Sequence, residues 1–400
     1  MSNIGSATLF LAGNQLGYPI IPVGSVGSLE LHFDDLDGYV KNYSYTYQLC
    51  NADWQPVDLS PFDYIKGFSQ NRISQYRVSS VAKTKYVHYQ VVLPENSSVP
   101  TVSGNYLLKV FLNGDTGKLA FTKRLLIAED LVPIGAQIQQ PYNSEYFKTH
   151  QKIEFSIDKS KLNIMNPKQQ LKVVVLQNYR WDNAVTGAQP LYMKPNLYEY
   201  NGEKDFLFPA GKEYRWIDLR SFRFLSDRME SVDKNVTPFE VTVAPDAARI
   251  QNRYLYYEDL NGFYQIASTD LINPWWQGDY AKVHFIFVPQ NNIPYAGKDV
   301  YIAGQMTNYE QNDTTRLTYN ATKGAYETTL FLKQGYYSYI YITKDANNPN
   351  AKPDVTDTEG NYWETENNYT VLVYYRSFSD RSDRLVGVTT INSRRNRTGF

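Results

Sequence analysis

Apolar and polar residues alternate in short runs along the whole chain, and each run has the length of a strand half buried against a core. Leu29-Glu30-Leu31-His32-Phe33 and Tyr43-Ser44-Tyr45-Thr46-Tyr47-Gln48-Leu49 are clear cases. The same period returns at 87–93, 106–112, 153–157, 171–176, 239–243, 283–288, 326–332 and 369–375. Very few windows carry an apolar stripe at helical spacing. Turn pairs such as Asn113-Gly114, Asn201-Gly202 and Asn261-Gly262 punctuate the runs. Strands without intervening helices predict an all-β chain of antiparallel sandwiches rather than a parallel α/β sheet.

Pauses in the pattern divide the chain into three expected units. An N-terminal sandwich spans 1–132 and ends where Glu129-Asp130-Leu131-Val132-Pro133 breaks the alternation. A middle sandwich covers 133–278; within it 178–200, rich in Asn, Pro and Tyr, reads as a long loop, and 249–279 as a connector. The C-terminal unit, 279–400, has strand spacings typical of a seven-stranded sandwich. Its polar, basic end, Asn392-Ser393-Arg394-Arg395-Asn396-Arg397, reads as a mobile tail. No repeat of 20 to 50 residues points to a solenoid or propeller.

Composition supports strands and removes several functions. Aromatic residues make up 15% of the chain, with 35 Tyr against 19 Phe and 6 Trp, and such side chains fit a pleated surface. The charges nearly cancel, 40 Lys+Arg against 41 Asp+Glu, so there is no electrostatic case for nucleic acid or for anionic lipid. No apolar run is long enough to span a bilayer, and membrane insertion is not expected. The lone Cys50 forms no internal disulfide and reads as a core residue. The first 25 residues lack a basic start, and Leu9-Phe10-Leu11-Ala12 is too short for a signal core, so either the protein is cytosolic or a signal peptide has been removed.

Candidate chemistry is sparse. The four histidines, His32, His88, His150 and His284, lie far apart in the sequence; three read as sheet residues, and no metal is expected. Asp34-Asp35-Leu36-Asp37-Gly38 lacks the far ligand of a calcium loop and reads as a solvated turn. No nucleophile elbow or phosphate-binding loop occurs, so no catalytic residue and no cofactor is expected, and neither is a small-molecule ligand. Paired carboxylates from distant strands, such as Asp34 or Glu364, keep a glycosidase open. The aromatic candidates for recognition are Trp275 and Trp276, which follow Asn273-Pro274. In an extended segment one ring would be buried and the other presented, making Asn273, Trp275 and Trp276 the expected partner-binding residues. Tyr337, Tyr339 and Tyr341 share one face of a run and read as a packed sheet face.

Two resemblances add to this reading. Val300 to Tyr309, the run 326–332 and Gly335-Tyr336-Tyr337-Ser338-Tyr339 resemble the early-set immunoglobulin-like modules that include glycogen-binding domains. Tyr309 stands where those modules carry a sugar-binding Trp. A periplasmic glycan-binding protein is the alternative this supports. Across nearly the whole chain, ordered blocks are similar to the plug proteins of the Bacteroidetes type IX secretion system. They include Phe33-Asp34-Asp35-Leu36, Cys50-Asn51-Ala52-Asp53-Trp54, Tyr86-Val87-His88-Tyr89, 103–110, 177–183, 279–285, 332–339, 364–369 and 373–376. Local departures are Thr122-Lys123-Arg124-Leu125 and Arg381-Ser382-Asp383. The resemblance implies tandem immunoglobulin-like or early-set β-sandwiches in the periplasm, at the inner face of the outer membrane, with the signal peptide removed. It also implies docking on the periplasmic mouth of a SprA/Sov-type outer-membrane translocon, whose pore the plug blocks at rest.

Overall fold

The computed structural model describes residues 3–395, and strands dominate it. In the first body one sheet orders Ile4–Leu11, Leu29–Asp35, Val87–Leu93 and Gln75–Val78. Its partner orders Ile20–Pro22, Leu119–Ala128, Gly104–Leu112, Tyr43–Cys50 and Asn71–Ile73. Alternation decides what enters the core: Leu29, Leu31 and Phe33 from one sheet meet Tyr43, Tyr45, Tyr47, Leu49, Tyr106 and Leu108 from the other. Each such burial stabilises by about 1.5–3 kcal/mol. Tyr43 and Tyr45 enter ring first and satisfy their hydroxyls with carboxylates, Tyr43 donating to Asp35 at 2.7 Å and Tyr45 to Glu95 at 2.6 Å. Cys50 is buried at the end of its strand.

The other two cores depart from the expected boundaries. The second body pairs Ile134–Gln139 with His150–Asp158, which Leu197–Tyr200 and Leu207–Pro209 extend. Its other sheet orders Val185–Thr186, Leu171–Gln177, Asn368–Tyr375 and Arg384–Asn392, so the last two strands of the chain complete the middle core. The third body is built on a ten-stranded sheet that takes Arg215–Asp218, Met229–Asp233, Phe239–Val243 and Tyr264–Ile266 from the expected middle unit. The division at 278/279 is therefore corrected: the third body, about 211–366, is set into the second. Alternation fixes which side chains face a core, but it says nothing about which distant strand completes the sheet. Here the antiparallel register Val173↔Val373 and Val175↔Val371 does so.

Smaller expectations also shift. The segment 178–200 contains three short strands, Val185–Thr186, Tyr192–Met193 and Leu197–Tyr200. The connector 249–279 belongs to the third body, because Tyr264–Ile266 pairs with Gly335–Asp345. At the Asn261-Gly262 turn both residues have positive φ, and a Cβ on Gly262 would collide with the Tyr309 hydroxyl and the Tyr214 ring. Of the expected tail, Asn392 ends a strand, while Asn396 and Arg397 lie outside the described residues.

Tyr337, Tyr339 and Tyr341 are fully packed in the third core, as their shared face predicts. The Tyr339 and Tyr341 hydroxyls donate to Asp246 Oδ2 at 2.8 and 3.0 Å. Arg215 joins Asp246 to Glu359, at 2.9 and 3.0 Å, and Arg249 reaches Glu359 at 2.7 Å. These guanidinium groups overcome burial and hold the Glu359 carboxyl down at about 2. Through Glu359 the network fastens the segment after Gly335–Asp345 to the sheet.

A polar and apolar seam joins the first and second bodies. Ala52 and Leu126 pack with Val174, Leu176, Leu372, Tyr374 and Leu385. Within the seam the Tyr374 hydroxyl donates to Asn105 at 2.7 Å, and Asp383 accepts from Ala52 N at 3.0 Å and from Lys172 at 2.8 Å.

The nested topology predicts how fragments behave. A fragment of 279–400 lacks the partners of its last two strands and will not fold cooperatively, whereas 211–366 will give a sigmoidal melt and dispersed amide resonances. A cooperative melt of 279–400 alone would contradict the nesting.

Candidate functional site

The feature that organises the molecule lies where the first and third bodies meet. Asp34 is the last residue but one of the strand Leu29–Asp35 and is fully buried. Its Oδ1 takes a hydrogen bond from His88 Nδ1 at 2.7 Å. Its Oδ2 accepts from the Lys333 ammonium at 2.5 Å and from the Tyr280 hydroxyl at 2.6 Å. Lys333 and Tyr280 sit on paired strands of the third body, Ala325–Lys333 and Tyr280–Val288. Lys333 also donates to the carbonyl of Trp275 at 2.5 Å and lies 4.1 Å from the centre of the Tyr86 ring. Asp34 and Asp35 are thus buried charges, and the solvated turn expected for this segment begins only at Asp37. Asp35 is matched by Lys41 at 2.8 Å.

Burial opposes both members of the Asp34–Lys333 pair. It draws the ammonium below its ordinary range even against the attraction of Asp34, while Lys333 and His88 together hold the Asp34 carboxyl down despite its own burial. Three donors on the carboxylate offset the cost of burying the pair.

His88 extends the network into the first body. Its Nε2 meets His32 Nδ1 at 3.0 Å, and His32 Nε2 faces Glu30 at 3.1 Å. With Asp34 taking the His88 Nδ1 proton, His88 Nε2 accepts from His32, which leaves His32 Nε2 without a proton while the ring is neutral. Burial first, and His88 second, push His32 down to about 4 against the pull of Glu30 and Asp34. Burial likewise lowers His88. The two histidines are 56 positions apart, and the register Asp34↔His88 of adjacent strands is what joins them.

The expected recognition residues form the cover of this joint. Asn273 caps a four-residue helix, Pro274–Gln277, its side chain accepting from Trp275 N at 2.9 Å. The Trp275 ring stacks on His32 at 4.0 Å and on His88 at 5.4 Å. The Trp276 ring receives the Arg77 guanidinium at 5.6 Å, and its carbonyl accepts from Ser80 N at 2.8 Å. Both rings are half-buried against the first body rather than split between core and solvent. In a helical turn neighbours point about 100° apart, not to opposite sides as in a strand, so both reach the same wall.

The remaining candidates are dispersed. His284 bonds Thr329 at 2.9 Å and His150 bonds Thr149 at 2.8 Å. Among the described residues no three His, Cys, Asp or Glu side chains are grouped to hold a metal ion. Asp34, sealed in the joint, is not brought together with Glu364, whose carbonyl accepts from the Tyr254 hydroxyl at 3.1 Å. Tyr309, at the sugar-binding position of the early-set resemblance, is covered by the Arg180 guanidinium at 4.7 Å. No helix among the described residues is long and apolar enough to cross a membrane.

Two measurements test this joint. Lys333→Met leaves the Asp34 charge buried without its ammonium and will lower stability by about 3–5 kcal/mol. Adding Asp34→Asn will recover much of that loss in urea denaturation, and a double mutant no more stable than the single would contradict the pairing. The second is pH dependence. His32 titrates at 6.5 when unfolded and at about 4 when folded, so between these values the unfolded chain binds more protons. The His32 contribution is fully present above that window and is lost as pH falls through it, by up to about 3 kcal/mol. Asp34, held below its ordinary range, acts in the same direction at lower pH. In His32→Asn the fall in stability between neutral pH and pH ~4 will be shallower than in the parent. Equal slopes would show that His32 is not buried neutral.

Comparison with known proteins gives this architecture a family. Residues 4–129 match the model for the first domain of type 9 secretion system plug proteins. No curated protein matches the chain. The whole fold is similar to the crystal structure of a hypothetical protein from Parabacteroides merdae, with 31% identity, a TM-score of 0.93 and 98% of each chain covered. The first body, with Asp34 and His88 at its joint, lies within the matched region, and the chain belongs to the type 9 secretion system plug protein family.

Proposed function

We propose that this chain docks, as a preformed block in the periplasm, on the periplasmic end of a SprA/Sov-type outer-membrane translocon and closes its pore at rest. The family match over 4–129 carries this reading. The physical architecture supports it. A pore closed by a loose chain of domains would leak at the hinges, whereas buried networks fasten the first body here to both others. The formal net charge of −1 leaves no strong field to hold the chain on lipid or nucleic acid. The chain acts by binding, without catalysis or a cofactor.

Deleting the gene will make the outer membrane more permeable to large antibiotics, and the affinity-tagged chain will co-purify with the translocon from envelope membranes. Unchanged permeability together with no translocon in the pull-down would end this reading.

A further inference from the structure

Four segments, drawn from all three bodies, converge on a cavity of about 630 Å³ where those bodies meet. Trp54 and the pair Lys123-Arg124 come from the first body, Tyr179, Trp181 and Asp182 from the second, and Tyr309-Glu310 from the third. The Arg124 guanidinium lies over the Trp54 ring at 4.7 Å and the Trp181 ring at 5.4 Å, and the two indoles meet edge to face at 4.8 Å. The two ring faces attract the guanidinium as a cation without using its N–H donors.

The neighbouring cations already have partners. Arg180 makes two bonds to Asp182, at 3.1 and 2.6 Å. The Lys123 ammonium donates to Asn308 at 3.1 Å and feels Glu310. Arg124 has no such answer: among the described residues no carboxylate forms an ion pair with it, although its side chain is open to water. Surrounding protein draws the guanidinium below its ordinary range. Trp54 Nε1, Trp181 Nε1 and the Tyr179 hydroxyl, on the same wall, are buried without a hydrogen-bond partner. The cavity thus offers one unanswered positive charge set among aromatic faces, in a volume suited to a small ligand.

We infer that this cavity binds a carboxylate carried on an aromatic or apolar body, with Arg124 as its receptor. A carboxylate matches the planar fork of a guanidinium with two parallel hydrogen bonds. A doubly charged group such as phosphate would meet Asp182 and Glu310 on the same walls. The aromatic rings take the body of the ligand. This goes beyond the docking proposal and does not depend on it, and it departs from the absence of small ligands expected from sequence. The carboxylate has two sources, a free acid or the end of a peptide.

The experiment is calorimetric titration of the full chain with phenylacetate and with N-acetyl-Gly-Gly-Phe, each against its neutral amide, with indole N–H resonances followed by NMR. At least one acid will bind about tenfold or more tightly than its amide, shifting the Trp54 and Trp181 signals. Preference for phenylacetate alone assigns a free acid; preference for the peptide alone assigns a chain end; both together show that the carboxylate is read whatever carries it. Arg124→Gln will lose the preference, and Arg124→Lys will retain part of it if the fold is kept. If neither acid is preferred over its amide in the parent chain up to about 10 mM, the inference is overturned, whatever the variants do.

Discussion

A carboxylate without water around it must be answered by protein, and Asp34 is answered from two bodies at once. His88 is on its own sheet; Lys333 and Tyr280 come from the third body. Desolvation costs several kcal/mol per ion, and the attraction of the pair offsets that only when the geometry is right. The joint therefore gains less in net stability than in definition. A displacement of an ångström would leave a buried charge without its partner, so the two bodies have one seating rather than a range of them.

The same logic recurs wherever bodies meet. Asp383 Oδ2 and Asn105 find partners across the first seam, and Glu129 pairs with Arg384 at its edge, with Nε to Oε1 at 3.0 Å. Nesting adds a covalent constraint. Because Leu171–Gln177 and Asn368–Tyr375 are neighbours in one sheet, the third body leaves the second and returns to it, and is tethered at two points. A body held by two chain crossings and a buried ion pair has little freedom to rotate about either tether.

Sequence reading works where the physics is local. The strands follow from alternation, and the tyrosine-rich runs are core because a half-buried pleat accepts ring and hydroxyl together. Cys50 and the Tyr337, Tyr339 and Tyr341 face are placed correctly for the same reason. It fails where the answer is a partner. Asp34 and Asp35 look like a solvated turn because their neighbours in sequence are polar; what buries them is Lys333, 299 positions away, and Lys41. His32 and His88 become a pair only through strand register. Trp275 looked available for recognition because no local strand claims its ring, yet His32 claims it across the joint. Strand order in the middle core is hidden in the same way, since several β-branched runs are interchangeable by pattern. Signals did exist: an acidic pair inside an apolar strand, and a lysine ending an alternating run, are both unusual places for solvated charges.

These constraints bear on how a block of this kind associates. Near-neutral net charge adds little long-range steering, and for such surfaces encounter with a partner typically proceeds on the order of 10⁵–10⁶ M⁻¹s⁻¹. Affinity then depends on how little is lost on docking. A chain with sliding domains would have to order them on the rim, and each ordered element would subtract from the contact energy. Here that ordering is completed during folding, by Asp34, Lys333 and the seam around Tyr374, before any partner is met. In the docking proposed above, contacts at the docking face would then be free to set the lifetime of the complex.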